Sequence, residues 1–272
     1  MKKSYFDLKG KYCLITGAAG LLGHEHARAI LEANGKVIIT DLDKKKLLGT
    51  YKKLKKLFKN KELLSFQMDV SNTNSIQDVL EILKKKKIRI KILINNAAID
   101  SKIGNKSNFS SNNYFENFSL NVWNKELQVG LTGAMLCSKI FGNEMKRHGG
   151  VILNIASDLS VIAPNQSIYK SKSKNKSNVK PVTYSVIKHG LIGLTKYLAT
   201  YWPSKIRCNA LSPGGVLNNQ GREFLLKVKS QIPMNRLASK NEYRAAIQFL
   251  CSDASSYMTG QNLIIDGGRS IW

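Results

Sequence analysis

Acid is scarce in this chain: 18 Asp and Glu stand against 43 Lys and Arg among 272 residues, a formal charge of +25. Cysteine is scarcer. Cys13, Cys137, Cys208 and Cys251 lie far apart, each inside an apolar segment and without a C-x-x-C pair. That excludes a disulfide framework and leaves reduced, buried thiols as the expectation. The four histidines have no metal-ligand spacing, since His24 and His26 are two apart on a predicted helix and so share no face. No metal is expected. No run approaches the roughly 18 apolar residues of a membrane span, and no N-terminal stretch has the apolar centre of a secretory signal. A cytoplasmic protein without membrane contact follows as the expectation. No linker, internal repeat or second core is visible, so residues 1–272 are expected to form a single domain.

The surplus charge is mostly lysine, 35 of the 43 basic residues, with denser runs at 44–46, 52–61, 84–87 and 170–180. Such a surface attracts polyanions or steers an anionic substrate. In the segment 44–61, however, Leu47, Tyr51, Leu54 and Phe58 form one helical stripe and the lysines fill the other, as on an ordinary amphipathic helix. Lysine-decorated solvated faces are the plainer reading, and no nucleic-acid partner is expected.

With 43% apolar residues, what the chain does have is organised around Thr16-Gly17-Ala18-Ala19-Gly20-Leu21-Leu22-Gly23. An apolar run, 12–15, precedes it. A helical pattern (Leu22, His26, Ala29, Ile30, Ala33) follows, and a second apolar run, 37–40, ends in Asp41, 18 residues past the last glycine. Strand, glycine turn, helix, strand and acid make up the dinucleotide-binding fingerprint in its required context. The glycines allow close backbone approach to a pyrophosphate, and the helix N-terminus faces its charge. A carboxylate at Asp41 can accept from ribose hydroxyls and repels a 2′-phosphate, and no Arg or Lys lies within the glycine turn. NAD is therefore expected over NADP, the lysines at 44–46 being the counter-argument.

Further along, strands are predicted at about 63–68, 90–94, 151–156, 206–211 and 262–266. Helices are predicted at about 21–34, 43–60, after a Ser71 cap to the lysines at 84–87, and at 120–147, 182–202, 219–231 and 240–251. Alternation of strand and helix argues for an α/β fold, a doubly wound parallel sheet. Ligands in such sheets lie beyond the carboxyl ends of the strands. That edge collects Gly17, Gly20, Gly23, Asp41, Asp69, Asn95, Ser157, Pro213, Gly214 and Val216.

Tyr184 and Lys188 stand i,i+4 on the helix after the fifth strand. The spacing alone proves little, because Tyr5/Lys9, Tyr51/Lys55 and Tyr201/Lys205 share it. Only Tyr184/Lys188 opens a long apolar helix after a strand that ends in a free serine, Ser157.

Together Thr16 to Gly23, Asp69-Val70, Asn95-Asn96-Ala97-Ala98, Ser157, Tyr184/Lys188, Pro213-Gly214 and Asp266-Gly267-Gly268 resemble a short-chain dehydrogenase/reductase with a Rossmann-type fold over nearly the whole chain. In detail they are most similar to bacterial oxidoreductases of flagellin modification and surface-sugar synthesis. The resemblance implies Tyr184 as general acid/base, Lys188 as its activator and ribose ligand, and Ser157 as the hydroxyl that polarises the reacting carbonyl. It implies cofactor contacts at Gly17, Gly20, Leu22, Gly23, Asp41, Asp69, Val70, Asn95, Ala97, Pro213, Gly214 and Val216. Asp69 would take the adenine amino group, a helix-capping role being its alternative. Bringing a phenol from pKa about 10 to about 7 needs about 4 kcal/mol, and one ammonium about 4 Å away at an effective dielectric near 20 supplies about that.

Three departures stand out. The glycines follow T-G-x-x-G-x-x-G rather than T-G-x-x-x-G-x-G. Gly130 aligns with the asparagine that usually completes the catalytic set. And 26 residues separate Ser157 from Tyr184, about twice the usual gap, in an insert at about 160–181 with lysines at 170, 172, 174, 176 and 180. The insert is expected near the site mouth, where it steers an anionic substrate or is merely solvated. A substrate-loop segment is expected at about 216–238, and a homotetramer or homodimer through the apolar surplus of the two long helices. The expected reaction is hydride transfer between NAD and a secondary alcohol or ketone of a sugar or sugar derivative. Two rivals stand beside it: a 3-oxoacyl-carrier-protein-type reductase, and a decayed dinucleotide- or nucleic-acid-binding regulator.

Overall fold

The computed structural model describes residues 4–99, 113–170 and 179–272. Seven strands form one parallel sheet in the order β3-β2-β1-β4-β5-β6-β7. They are β1 (Tyr12–Ile15), β2 (Lys36–Asp41), β3 (Leu63–Gln67), β4 (Ile90–Asn95), β5 (Gly150–Ile155), β6 (Ile206–Pro213) and β7 (Asn262–Ile265). The connecting helices are α1 (Leu21–Glu32), α2 (Lys44–Leu57), α3 (Thr73–Lys85), α4 (Leu120–Leu127), α5 (Gly133–Met145), α6 (Val182–Tyr201), α7 (Arg222–Lys229) and α8 (Arg244–Cys251).

Alternation along the strands sends side chains into two cores. Cys13, Ile15, Val37, Ile39, Ile92, Ile94, Val151 and Leu153 meet residues of α1, α2 and α8. Leu14, Ile38, Leu93, Ile152 and Cys208 meet residues of α3, α5 and α6. Ion pairs also tie α1 to α8: half-buried Arg244 donates to buried Glu25 from Nε at 2.7 Å and to Glu32 at 3.0 Å. All four cysteines are buried free thiols. Burial pushes Cys137, Cys208 and Cys251 up to about 12, which leaves them unreactive.

Four local details differ from the sequence reading. Asn72, not Ser71, caps α3, accepting from the amides of Asn74 and Ser75, because Ser71 is occupied with Asp69. The predicted helix at 120–147 is interrupted by a π turn, Gln128–Thr132, between α4 and α5. β6 runs to Pro213, since Ser212 and Pro213 pair with Ile264 and Ile265. The predicted insert also holds a short 3-10 turn, Gln166–Tyr169.

His26, on α1, is 1% exposed. Burial outweighs the nearby Asn96 amide and lowers its pKa from 6.5 to about 3. The unfolded chain therefore binds a proton that the folded chain refuses between those values. Stability from this group is complete above pH 6.5 and falls as the pH drops toward 3, by up to about 1.4 kcal/mol per pH unit. Urea unfolding at pH 7.5 and 5.0 measures it. The His26→Leu variant should lose most of this acid sensitivity, and an unchanged slope would refute the assignment.

Candidate active site

The glycine turn is built against the end of β4. Gly17 has φ +62°, and a Cβ there would lie 2.7 Å from the Ala97 Cα. Thr16 Oγ1 accepts from the amides of Asn96 and Ala97, both at 3.0 Å. Asn96 Nδ2 donates to the carbonyls of Thr16 and Gly17, again at 3.0 Å. Gly23 is forced by close approach: its Cβ would meet Gly17 O at 2.4 Å. Gly20 differs. It is the N-cap of α1, no side chain caps the helix there, and a Cβ would meet only Gly17 O at 3.3 Å. That single contact is tight, and the N-terminus of α1 carries no side-chain cap. Leu22 packs partly into the core from the first turn of α1.

Asp41 closes the turn from the end of β2. Its Oδ2 accepts from the Ala19 amide at 3.0 Å and its Oδ1 from the Asp43 amide at 3.0 Å. The carboxylate thus stands at the rim of the glycine turn. Lys46, one of the lysines that could receive a 2′-phosphate, is paired with Asp43 at 3.0 Å. A glycine at an uncapped helix terminus and a carboxylate on the rim fit a dinucleotide.

The remaining predicted cofactor residues lie along the same sheet edge with different surroundings. Asp69 Oδ1 accepts from the amide and hydroxyl of Ser71 at 2.8 and 2.6 Å, so one of its oxygens organises the loop before α3. Val70 is buried beside it. Asn95 is turned inward. Its Nδ2 donates to Ser138 Oγ at 3.0 Å and to Asn154 Oδ1 at 2.9 Å, which ties β4 to α5 and β5. The neighbouring Asn96, quoted in the motif but given no role, is the side chain that fastens the glycine turn. Pro213 ends β6. Gly214 follows, its carbonyl accepting from the Tyr243 hydroxyl at 3.1 Å. Val216 bridges to Ala238, closing the segment that carries α7.

Lys188 and Ser157 lie near the end of β5, and Tyr184 lies beside Lys188 on α6. Lys188 is buried and donates from Nζ to the Ile155 carbonyl at 2.9 Å, two residues before Ser157. Tyr184, one turn earlier on α6, has the Lys188 ammonium 5.6 Å from its ring centroid. Ser157 is buried, and α6 packs directly on the 3-10 turn, Asp158–Ser160, that follows it. The π turn brings Gly130 against this helix: a Cβ there would lie 2.9 Å from Ile187 Cγ2. Ile187 occupies the room an asparagine at 130 would need.

Three contacts of the site escaped the sequence reading, which named Lys180 only among the lysines of the insert. Lys180, at the end of the insert, holds its ammonium 3.6 Å over the Tyr184 ring and exchanges hydrogen bonds with Gln166. The Ser157 hydroxyl donates to Asp158, whose other oxygen meets Arg269 at 2.8 Å. Finally, Ile168 of the insert packs with Val228, Ile232 and Leu237, joined by Tyr169 and Phe224. The insert and the segment after β6 thereby share a small core. Amphipathic α7 was the one signal for it. Lys172, Lys174 and Lys176 lie outside the described residues.

The family model described as enoyl-(acyl carrier protein) reductase matches residues 17–270. The chain is 30% identical to an NAD-dependent glycerol dehydrogenase of Listeria innocua, over 98% of this chain and 96% of that one. It is 29% identical to post-translational flagellin modification protein A of Campylobacter coli, over 96% and 98% of the two chains. The structure of a putative gluconate dehydrogenase from Agrobacterium tumefaciens superposes with a TM-score of 0.85 at 25% identity, covering 98% of this chain and 99% of that one. Sheet order, glycine turn and whole-length similarity agree, and the chain is an oxidoreductase of the short-chain dehydrogenase/reductase family.

Proposed function

We propose that this protein is an NAD-dependent oxidoreductase that interconverts a secondary alcohol and a ketone on a polyol, sugar or sugar acid. What supports it is the Lys188 ammonium, which lies 5.6 Å from the Tyr184 ring while donating to the Ile155 carbonyl, two residues before Ser157 on the sheet edge that holds the glycine turn. The nicotinamide, when bound, supplies the hydride chemistry. The chain's part is protonic and electrostatic. Tyr184 gives or takes the proton at the substrate oxygen, and the Lys188 ammonium stabilises the phenolate. Ser157 donates to the same oxygen as charge develops on it. Gly17, Gly20, Leu22, Gly23, Asp41, Asp69, Val70, Ala97, Pro213, Gly214 and Val216 would form the cofactor side, whereas the Asn95 side chain, predicted to join them, is turned inward to Ser138 and Asn154.

Asp41 supports NAD over NADP, since a 2′-phosphate beside it would face a carboxylate already fixed by Ala19 and Asp43. Replacing Asp41 with Ser should shift the NAD/NADP preference toward NADP by about tenfold or more. Fluorescence titration of both dinucleotides measures this, and an unmoved ratio removes Asp41 from the choice. The acyl-carrier reading has the basic surface and the family model's description on its side, and Asp41 against it. NADP-dominated binding with turnover of 3-oxoacyl thioesters would favour that reading.

Lys180 supports an anionic substrate. Asp158 is matched by Arg269, so the two ammonium groups beside Tyr184 leave the reacting end of the site positive. A carboxylated polyol should be turned over with lower KM than its neutral counterpart. Lys180→Met should raise that KM about tenfold, leave the neutral substrate's unchanged, and lose its effect at high salt. Equal effects on both substrates would sink the idea. A homo-oligomer fits the surface as well, since Met135, Val186, Tyr197 and Tyr201 stand exposed on α5 and α6.

A further inference from the structure

The Ser157 hydroxyl carries one proton, and in this structure that proton is engaged. It is donated to Asp158 Oδ1 at 2.8 Å. The Leu159 amide donates to the same carboxylate oxygen at 2.9 Å and to Ser157 Oγ at 3.2 Å. Asp158 Oδ2 accepts from Arg269 at 2.8 Å, and the second terminal nitrogen of Arg269 reaches Gln231 Oε1 at 3.3 Å. Asp158 and Arg269 are 3% and 7% exposed, and both are committed to protein groups.

Arg269 comes from the far end of the chain, 111 residues later, and its delivery is built with care. Gly267 and Gly268 both take positive φ, +70° and +88°. Asp266 braces the turn, accepting from the Gly268 amide at 2.9 Å and the Ser270 amide at 2.7 Å. A Cβ on Gly267 would lie 2.8 Å from Ile232 Cγ2, and one on Gly268 2.8 Å from Pro233 Cγ. Trp272 Nε1 then donates to the Gln231 carbonyl at 3.2 Å, holding the tail in place.

We propose that Asp158 and Arg269 are a positioning pair that sets the direction and availability of the Ser157 proton. The inference rests on the reading of Ser157 as the hydroxyl that meets the substrate oxygen. A hydrogen bond from a hydroxyl to a carboxylate is strong when the carboxylate has no other charge to answer. A buried, unmatched Asp158 would keep the proton and would also oppose phenolate formation at Tyr184 through its own negative charge. Arg269 removes both faults. With its guanidinium on Oδ2, Asp158 orients the hydroxyl and gives it up when a substrate oxygen arrives, and the pair adds no net charge beside Tyr184. Neither residue touches the reacting atoms.

The test is a cycle of variants with kcat, KM and NAD affinity measured on each. Arg269→Gln strands the carboxylate and should lower kcat about tenfold or more, with KM and NAD affinity near wild type. Asp158→Asn/Arg269→Gln removes the charge together with its counter-ion and should recover kcat to within about fivefold of wild type. Asp158→Asn keeps an acceptor for the hydroxyl and should stay in that same range, whereas Asp158→Ala removes the acceptor and should lose about tenfold or more. A purely structural role predicts losses in melting temperature that add up in the double variant and a normal kcat for the folded fraction. That outcome overturns the proposal, as does Asp158→Ala with kcat within about threefold of wild type. If Arg269→Gln does not fold, the contrast between the Asn and Ala variants at 158 carries the test. If the wild type binds NAD yet turns over no alcohol or ketone, the reading of Ser157 fails first, and that result is distinct from an active wild type with insensitive variants.

Discussion

Turnover in the Tyr184→Phe variant falls by about 10²- to 10⁴-fold, the range a positioned acid/base group contributes, while NAD affinity and the melting temperature stay at wild-type values. The variant removes one oxygen and keeps the ring. The contacts the fold makes with that ring, the Lys180 ammonium 3.6 Å from its centroid and Lys188 at 5.6 Å, remain. The loss should fall on kcat, because the phenol binds the substrate oxygen most strongly as its charge develops. Stopped-flow mixing of enzyme, NAD and substrate measures the step directly. Retention of a third or more of wild-type turnover, an outcome far outside the roughly 10²-fold minimum, would end the assignment of Tyr184 as the proton carrier.

The second large effect comes from two glycines three residues apart. Gly23→Ala places a Cβ 2.4 Å from Gly17 O, 2.7 Å from the Ala18 Cα and 2.9 Å from Asn96 Nδ2. Two of these are backbone atoms and the third fastens the turn, so the turn must open. Stability should fall by about 1–3 kcal/mol, and NAD affinity by tenfold or more with it. Gly20→Ala meets only Gly17 O, at 3.3 Å, a tight contact that a shift of a few tenths of an ångström relieves, and should cost clearly less stability than Gly23→Ala. Its methyl group stands at the uncapped head of α1, and NAD affinity should fall by about tenfold or more. Thermal melts with and without NAD read both variants. Equal melting points for the two apoproteins, or full NAD affinity in Gly20→Ala, would contradict this account of the turn.

The local order of residues carried a great deal of this molecule. Apolar runs of four to eight residues, each closed by a polar or glycine residue, sufficed to place the seven strands; the five inner ones are buried on both faces and have no other pattern available, while the edge strands β3 and β7 are only partly buried. Asp41, Asn95, Ser157 and Pro213 came to one edge because parallel strands all end on the same side. Tyr184 and Lys188 could be chosen from four matching pairs for the same reason: only one follows a strand that ends in serine. Local chemistry was less decisive at element ends, where Asn72 and Ser71 are equally plausible caps until Asp69 claims one of them.

What the sequence by itself determined, then, was the architecture and the residues that local periodicity delivers to the sheet edge. Tertiary structure alone decided who those residues face. Asn95 and Asn96 are adjacent and chemically identical, yet one is sealed among Ser138 and Asn154 and the other holds the glycine turn, a difference set by helix α5 packing on β4. Ile187 fills the room beside Gly130 through a π turn that no periodicity announces. Asp158 and Arg269 read as an ordinary acid after a strand and an ordinary base near a terminus. They become a buried pair because β6 and β7 close the sheet and bring the tail back beneath Ser157, and a contact across 111 residues is invisible to any window along the chain.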